Sequence, residues 1–534
     1  YKRQVLLYQI FALFSITILS YFSVCATINS ECDIMLILTA DEIRAVETNC
    51  FKYYSTEAEL MLKAGTACAD SITEKYGDKL INRTVSVFCG NGKNAGDGFV
   101  IARLLYAYGA NAKIVLCDKA PEIAEPLKYY NEAVSSGVPV EYFGESSANA
   151  DFIVDCIFGI GFHGQARSPF DKIFESVNKS VATVISVDTP SGTNATDGSA
   201  CKNAVKADFT IAISTLKYCH VLPPSNALCG EIKAVNIGIP EDCYSSGYAQ
   251  TITQNKVKNI VPPLDFNANK GSNGHLLCLC GSYKMPGAAV ICCKSAIKSG
   301  AGLVKLTMPQ SAYPIVASHL VQPVFNPVEE SNGMYSEKAL EEISNDMQWA
   351  SAIVLGCGMS VSDDTRKITE FVLKNSKVPV ILDADGINCI TSSIDILKDV
   401  KVPVVLTPHP GEMSRLVSKS VGEVQSERIG IAKNFAKEYG VTIVLKGANT
   451  VVTDGETVFV NMSGNPAMAM GGTGDMLSGI IGSFVAQGIN PYDAAKAGVY
   501  IHGCAGDEAA KAVSQRGITV FDMIDRLGAL MSEY

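Results

Sequence analysis

The segment Met470-Gly471-Gly472-Thr473-Gly474-Asp475 runs into an apolar stretch with helical spacing. Glycines at the opening of a helix leave backbone N–H groups free for an anion, and the helix dipole favours negative charge there. Asp475, at the mouth of that anion hole, is placed to take a proton from a substrate hydroxyl. An electrostatic cap is the plainer role for the same residue. Far upstream, Gly90-Asn91-Gly92-Lys93-Asn94-Ala95-Gly96-Asp97-Gly98 follows an apolar run and forms a Gly-rich loop whose amides can approach phosphate. It is neither a clean G-x-G-x-x-G nor a Walker loop, so a tight turn without a ligand is its other reading. Asn94, Asp155 and Ser191 offer oxygen donors suited to a hard cation rather than zinc. Asp188, in Asp188-Thr189-Pro190-Ser191-Gly192, is a candidate general base. A strand-end Asp that caps the next turn is the alternative for either acid.

Such residues need a scaffold that gathers them. Short β-rich runs alternate with helical stretches at Val85–Cys89, Ala112–Cys117, Phe152–Phe158, Val181–Val187, Phe209–Ser214 and Ile232–Ile237. Thr39 with Glu42, and Thr56 with Glu59, have the spacing of capping boxes that open helices. The alternation restarts at His275–Cys280 and continues through Leu303–Thr307, Ala352–Leu355, Val378–Leu382, Val402–Leu406 and Thr442–Leu445. A hairpin is expected where Asp454-Gly455 separates Thr450–Val452 from Val458–Val460. Runs apolar on both faces and separated by helices imply parallel sheets covered on both sides. Two α/β domains follow, 35–250 and 262–534, joined by a linker within Ala249–Asn269 that carries Pro262-Pro263. In such sheets ligands sit at the carboxyl ends of the strands. That is where Gly159–Gly164, Lys217, Gly356-Cys357-Gly358, Asp383, His409 and Lys446–Thr450 all fall.

Composition bounds the partners. The 534 residues exceed one ordinary core, and 47% hydrophobic with 18% charged residues reads as globular α/β. A net charge of -10 without a basic block argues against nucleic acid. Eighteen cysteines, with no CxxC and many inside strand-like runs, read as buried thiols in a reducing cytosol, and metal binding by them is not expected. Residues 1–34 stand apart: Lys2 and Arg3 precede an apolar stretch from Val5 to Ala26. It reads as a signal peptide, a membrane anchor or an untranslated segment before a cytoplasmic body.

The Gly92–Gly98 loop, Val154–Gly164, Asp188–Gly192 and the Lys217 segment, in that order, resemble the NAD(P)H-hydrate epimerase domain with its Rossmann-like fold. The resemblance implies that Lys93, Asn94, Ala95, Gly96 and Asp97 contact the hydrated nucleotide, as do Gly159, Ile160, Gly161, Phe162, His163, Gly164 and Gln165. It makes Asp188 the substrate-facing acid and gives Asn94, Asp155 and Ser191 a potassium ion to hold. Lys93 and Ala95 depart from the Asn-Asn-Gly-Gly-Asp usual in that family, and Lys93 adds a candidate phosphate contact. The second half looks like the ribokinase-like fold, and more closely the ADP/ATP-dependent NAD(P)H-hydrate dehydratase. Lys270-Gly271, Gly281-Ser282, Pro286–Ala289, Ser299–Gly302, Thr407–Glu412 and Lys446–Thr450 carry that likeness. It implies that Ala289, Gly358, His409 and Asp475 face the hydrate. Lys446, Gly447, Ala448, Asn449, Thr450 and Gly474 would hold ADP or ATP, with Mg²⁺ as the second cofactor. Asn269 and Met359-Ser360 depart from that family's usual His and Leu-Gly. Assembly into a homo-oligomer is also expected.

Hydroxide is a poor leaving group, and phosphorylating the hydroxyl of the hydrate makes it a good one. Elimination then returns NAD(P)H, with ADP giving AMP and phosphate. A dehydratase selective for the S hydrate gives an epimerase in front of it a purpose. The competing reading is a ribokinase-like kinase for a vitamin precursor, fused to a nucleotide-binding regulatory module. A hydride-transferring dehydrogenase fits less well, because no acid is convincingly placed about 20 residues after the glycine loop.

Overall fold

The computed structural model describes residues 34–534, which fall into two compact units meeting between Tyr248 and Ala249. The apolar run from Val5 to Ala26 lies outside the described residues. Among the described residues no helix is long and apolar enough to cross a membrane.

In the first unit both expected capping boxes open helices, Thr39 that of Ala40–Tyr53 and Thr56 that of Glu57–Tyr76. Seven strands form a sheet in the order Val140–Tyr142, Asn111–Leu116, Thr84–Cys89, Phe152–Cys156, Thr183–Val187, Phe209–Ile213, Glu231–Val235. Every pair is parallel. Thr84–Cys89 is the first of these strands in the chain. The chain moves outward from it to one edge and then returns to its other side at Phe152–Cys156. This reversal opens a crevice at the carboxyl ends, the place where open α/β sheets bind ligands. Apolar side chains fill both faces, with Val87, Phe99 and Ile114 on one and Phe88, Ile153 and Phe174 on the other.

The second unit repeats the device. Its strands run in the order Val324–Val328, Leu303–Pro309, His275–Leu279, Ala352–Leu355, Val380–Leu382, Val404–Leu406, Thr442–Leu445. All of these pair in parallel. The reversal lies between His275–Leu279 and Ala352–Leu355. The expected hairpin is present as Val451–Thr453 with Val458–Val460, and Asp454 Oδ1 accepts the Glu456 and Thr457 N–H groups in its turn.

The expected linker is corrected in part. Ala249–Ile252 is a strand paired in parallel with Val458–Val460 through Gln250 and Phe459, and Gln254–Ile260 is a helix with Val257 fully buried. The apolar residues of 249–261 complete the core of the second unit, and irregular chain begins only around Pro262-Pro263.

Candidate active sites

In the first unit the strand Thr84–Cys89 delivers the Gly-rich loop to the crevice, and Lys93–Tyr108 begins as a helix immediately after Gly92. Asn94 therefore sits in the first helical turn, and its amide nitrogen donates to the Val187 carbonyl at 3.3 Å. The side chains of Ala95 and Asp97 turn into the unit, Ala95 fully buried and Asp97 nearly so. A Cβ at Gly96 would stand 2.2 Å from Met61 Sδ, so that residue packs against a neighbouring helix. Lys93 lines the crevice, and its ammonium pairs there with Glu57 at 2.7 Å.

A cavity of about 450 Å³ opens over this loop, lined among others by Asn94, Asp97, Gly159, Ile160, Gly161, Phe162, Asp188 and Lys217. Asp188 holds a left-handed backbone, φ 67°, as does Ser214 at φ 64°. Non-glycine residues held this way concentrate at functional sites. Lys217, nearly inaccessible, forms an ion pair with the Asp188 carboxylate and donates to the carbonyls of Ile213 and Thr215. His220 fixes the same corner: its Nδ1 accepts the Lys217 N–H at 3.0 Å, so its Nε2 carries the proton given to the Asp188 carbonyl at 2.8 Å. Burial pulls this imidazole down to about 3, keeping it neutral. Asp97 is pushed well up by burial and then by Asp188.

Asp155 lies beneath, fully buried. Its carboxylate accepts from Ser191 Oγ at 2.5 Å, Ser186 Oγ at 2.9 Å and the Ser191 N–H at 2.9 Å. His163 and Gln165 stand at the rim, His163 turned to the Gly161 carbonyl and Gln165 accepting the Lys202 N–H. Residue spacing concealed two members of this site. Lys217 was visible as a strand-end residue but not as the partner of Asp188, and Glu47, from the first helix, also lines the cavity.

In the second unit the helix Thr473–Ala486 opens after Gly472, whose φ of 95° admits no side chain without strain. Lys446 Nζ pairs with Asp383 Oδ1 at 2.7 Å, and Asp383 Oδ2 accepts from Ser478 Oγ at 2.7 Å. Burial alone would raise Asp383, but the ammonium of Lys446 outweighs it and holds the carboxyl below its usual range. Gly474 lies over this pair: a Cβ there would be 3.2 Å from Lys446 Nζ and 3.8 Å from Asp383 Oδ2. Asp475 comes within 4.8 Å of both Asp383 and the Cys357 thiol, and burial followed by Cys357 and Asp383 pushes it up to about 9. Cys357 also clusters with Cys280 and Cys292, and hydrogen bonding among the thiols, followed by burial, pushes the Cys280 thiol well up.

The loop after Thr442–Leu445 is held from below by Arg428, almost fully buried, whose guanidinium donates to the Leu445 and Lys446 carbonyls. Spacing gave no hint of it. Asn449 adopts φ 55° and Thr450 Oγ1 donates to the Gly447 carbonyl. His409 is a helix cap: its Nδ1 accepts the N–H groups of Gly411 and Glu412, and its Nε2 faces Glu412 Oε1 at 3.4 Å. Ala289 is fully buried under Gly281, and Gly358 is held at φ 64° with no room for a side chain beside Ala288.

Two parallel α/β units, each with an acid–lysine pair at its strand ends, define an α/β enzyme of two domains. The family model described as NAD(P)H-hydrate dehydratase matches residues 276–527, and that described as YjeF-related protein N-terminus matches 57–219. The bifunctional NAD(P)H-hydrate repair enzyme Nnr of Moorella thermoacetica is 32% identical over 509 residues, covering 92% of this chain and 96% of the relative. Its namesake in Escherichia coli is 31% identical over 506 residues, covering 92% and 93%. A solved ADP/ATP-dependent NAD(P)H-hydrate dehydratase from Bacillus subtilis, co-crystallised with ATP/Mg²⁺, is 29% identical with a TM-score of 0.46, covering 52% of this chain and 97% of that one. The chain belongs to the family of bifunctional NAD(P)H-hydrate repair enzymes.

Proposed function

We propose that the first unit interconverts the R and S hydrates of NADH and NADPH, and that the second dehydrates the S hydrate with ADP or ATP. The observation that carries this reading is the placement of Asp475. It stands at a glycine-led helix end, beside the half-buried Lys446 that faces the same opening. One side of that site suits phosphates and the other suits proton removal.

In the dehydratase site Lys446, Gly447, Ala448, Asn449, Thr450 and Gly474 hold the nucleotide, and Arg428 keeps their loop in register. Asp475 takes the proton of the hydroxyl as its oxygen attacks the terminal phosphoryl group. The amides at the helix opening and the Lys446 ammonium stabilise the charge that develops there. Asp475 acts from its ionised form, which burial disfavours and the Lys446 ammonium favours, and once ionised so poorly solvated a carboxylate is a stronger base than one in water. Phosphate then leaves from the carbon that carried the hydroxyl, the adjacent ring carbon gives up a proton to solvent, and the C=C bond of NAD(P)H forms. Gly358 and the exposed edge of His409 border the hydrate, while Ala289, fully buried, supports the Gly281 turn from beneath. Asp383 and Asp475 supply hard oxygens close together, but the third nearby ligand is a thiol. That donor set fits Mg²⁺ arriving with the phosphates rather than an ion caged by protein, and when bound the ion neutralises phosphate charge.

In the epimerase site Asp188 faces the hydrated carbon, with the Lys93–Asp97 turn and the Gly159–Gln165 loop around the nucleotide. Asp155 and Ser191, hydrogen-bonded to each other with the Phe158 carbonyl 3.3 Å from Ser191 Oγ, supply oxygens to a set that Asn94 would complete. It fits a potassium ion, whose charge would draw the loop ends together. The free thiols of the described residues support a reducing, cytoplasmic setting.

Purified S hydrate with ADP and Mg²⁺ tests the reading. Recovery of NADPH absorbance with stoichiometric AMP and phosphate supports it, and a stable phosphoester product would identify a kinase instead.

A further inference from the structure

The epimerase cavity holds a further acid. Glu47, on the helix Ala40–Tyr53, lines the same cavity as Asp188, Asn94 and Lys217. The two carboxyls differ in their surroundings. Asp188 is tied to Lys217 and locked in a left-handed backbone, whereas Glu47 is half-buried and has no hydrogen-bond or ion-pair partner among the described residues. A half-buried carboxyl left unpaired beside a cavity forgoes solvation without protein compensation, which is the arrangement of a group kept for a ligand. The groups facing it are Asp188, Lys93, Lys217 and Glu57; burial first, and then the charge of Asp188, raise its pKa. One acid biased towards its proton and another paired with a cation, in one cavity, divide into proton donor and proton acceptor.

We propose that Glu47 is the acid–base partner of Asp188 in epimerisation, the two carboxyls serving opposite proton transfers at the hydrated carbon. This rests on the epimerase reading of the first unit. The hydroxyl to be inverted sits on a ring carbon bonded to the ring nitrogen. Glu47 gives its proton to that hydroxyl as the C–O bond breaks, releasing water, while the nitrogen lone pair forms a C=N⁺ bond. Water adds to the opposite face of the carbon, the C=N⁺ pair returns to nitrogen, and the proton lost by that water passes to Asp188. Inversion in the other direction exchanges the two roles, and solvent resets both carboxyls. No oxidant or reductant is consumed.

The test uses the full chain and R hydrate in H₂¹⁸O. Wild type should accelerate inversion and place one ¹⁸O on the hydrated carbon per inversion, above the spontaneous background. Glu47→Gln should lower the inversion rate by about 10²–10⁴ with KM nearly unchanged. Its melting temperature should equal or exceed that of wild type, its rate of S-hydrate dehydration should match wild type, and Glu47→Asp should recover part of the loss. Inversion without ¹⁸O uptake would show that the C–O bond survives, as in ring opening at nitrogen, and would overturn the inference, as would a Glu47→Gln enzyme that inverts at the wild-type rate. If Glu47→Gln folds poorly, the labelling result and Glu47→Asp decide the matter. A wild-type chain that does not accelerate inversion would overturn the epimerase reading itself, and the inference with it.

Discussion

Lys446 and Asp383 close a buried ion pair of 2.7 Å beneath Gly474, joining the loop after one strand to the end of another. Asp383 is 1% exposed, so its charge has no substitute partner in water. Removing one member of such a pair typically costs about 3–5 kcal/mol, because the other is left charged and buried. Lys446→Met should therefore lower the stability of the second unit by roughly that amount, read from denaturant unfolding. The folded pKa of Asp383 is depressed, so its contribution is present above the ordinary carboxylate range and lost as pH falls through the folded value. The gap between Lys446→Met and the parent should narrow towards acid pH.

Asp475 has the opposite sign. Its pKa is raised to about 9, so its ionisation opposes folding from the ordinary carboxylate value upward. Asp475→Asn should abolish dehydration, a loss on the order of 10²–10⁴ in rate, yet raise the melting temperature of the second unit. The gain should be on the order of 1–3 kcal/mol near neutral pH and smaller in acid. Calorimetry across pH, with nucleotide binding followed in parallel, checks both effects. A variant that keeps turnover would contradict the role of Asp475 as base.

His220 predicts how the first unit responds to acid. Its folded pKa, about 3, lies below the ordinary imidazole value, so it binds fewer protons folded than unfolded. Its contribution is fully present above about 6.5 and falls by up to ~1.4 kcal/mol per pH unit as pH drops towards 3. His220→Gln should flatten the acid limb of the unfolding profile of the first unit. An unchanged limb would mean that carboxylates alone govern it.

The alternation of apolar runs and the two Thr–Glu capping boxes made both α/β units legible, since each is a local pattern. The edge strands Val140–Tyr142 and Val324–Val328 were not legible, because they are partly exposed and so lack the uninterrupted apolar run of a central strand. Pro262-Pro263 drew the linker too wide and hid Ala249–Ile252, which becomes a strand only through its pairing with Val458–Val460. In the sites, Asp188, Asp475 and Lys446 stood out by strand-end or helix-start position. Their partners Lys217, Asp383 and Arg428, and the cavity-facing Glu47, depend on approaches between segments distant in the chain. The pairing of Lys93 with Glu57 was equally hidden, because it depends on how two helices pack.

The division of labour between the two units is the central claim, and one progress curve tests it. Mixed R and S hydrate is supplied with ADP and Mg²⁺, and NADPH recovery is followed by absorbance in the parent and in Asp188→Ala. The parent should run towards completion. The variant should consume the S hydrate at the parental rate and then plateau, advancing only as fast as R inverts spontaneously. Two superimposable curves would contradict the account, reducing Asp188 to a structural residue and leaving the first unit without the activity proposed for it.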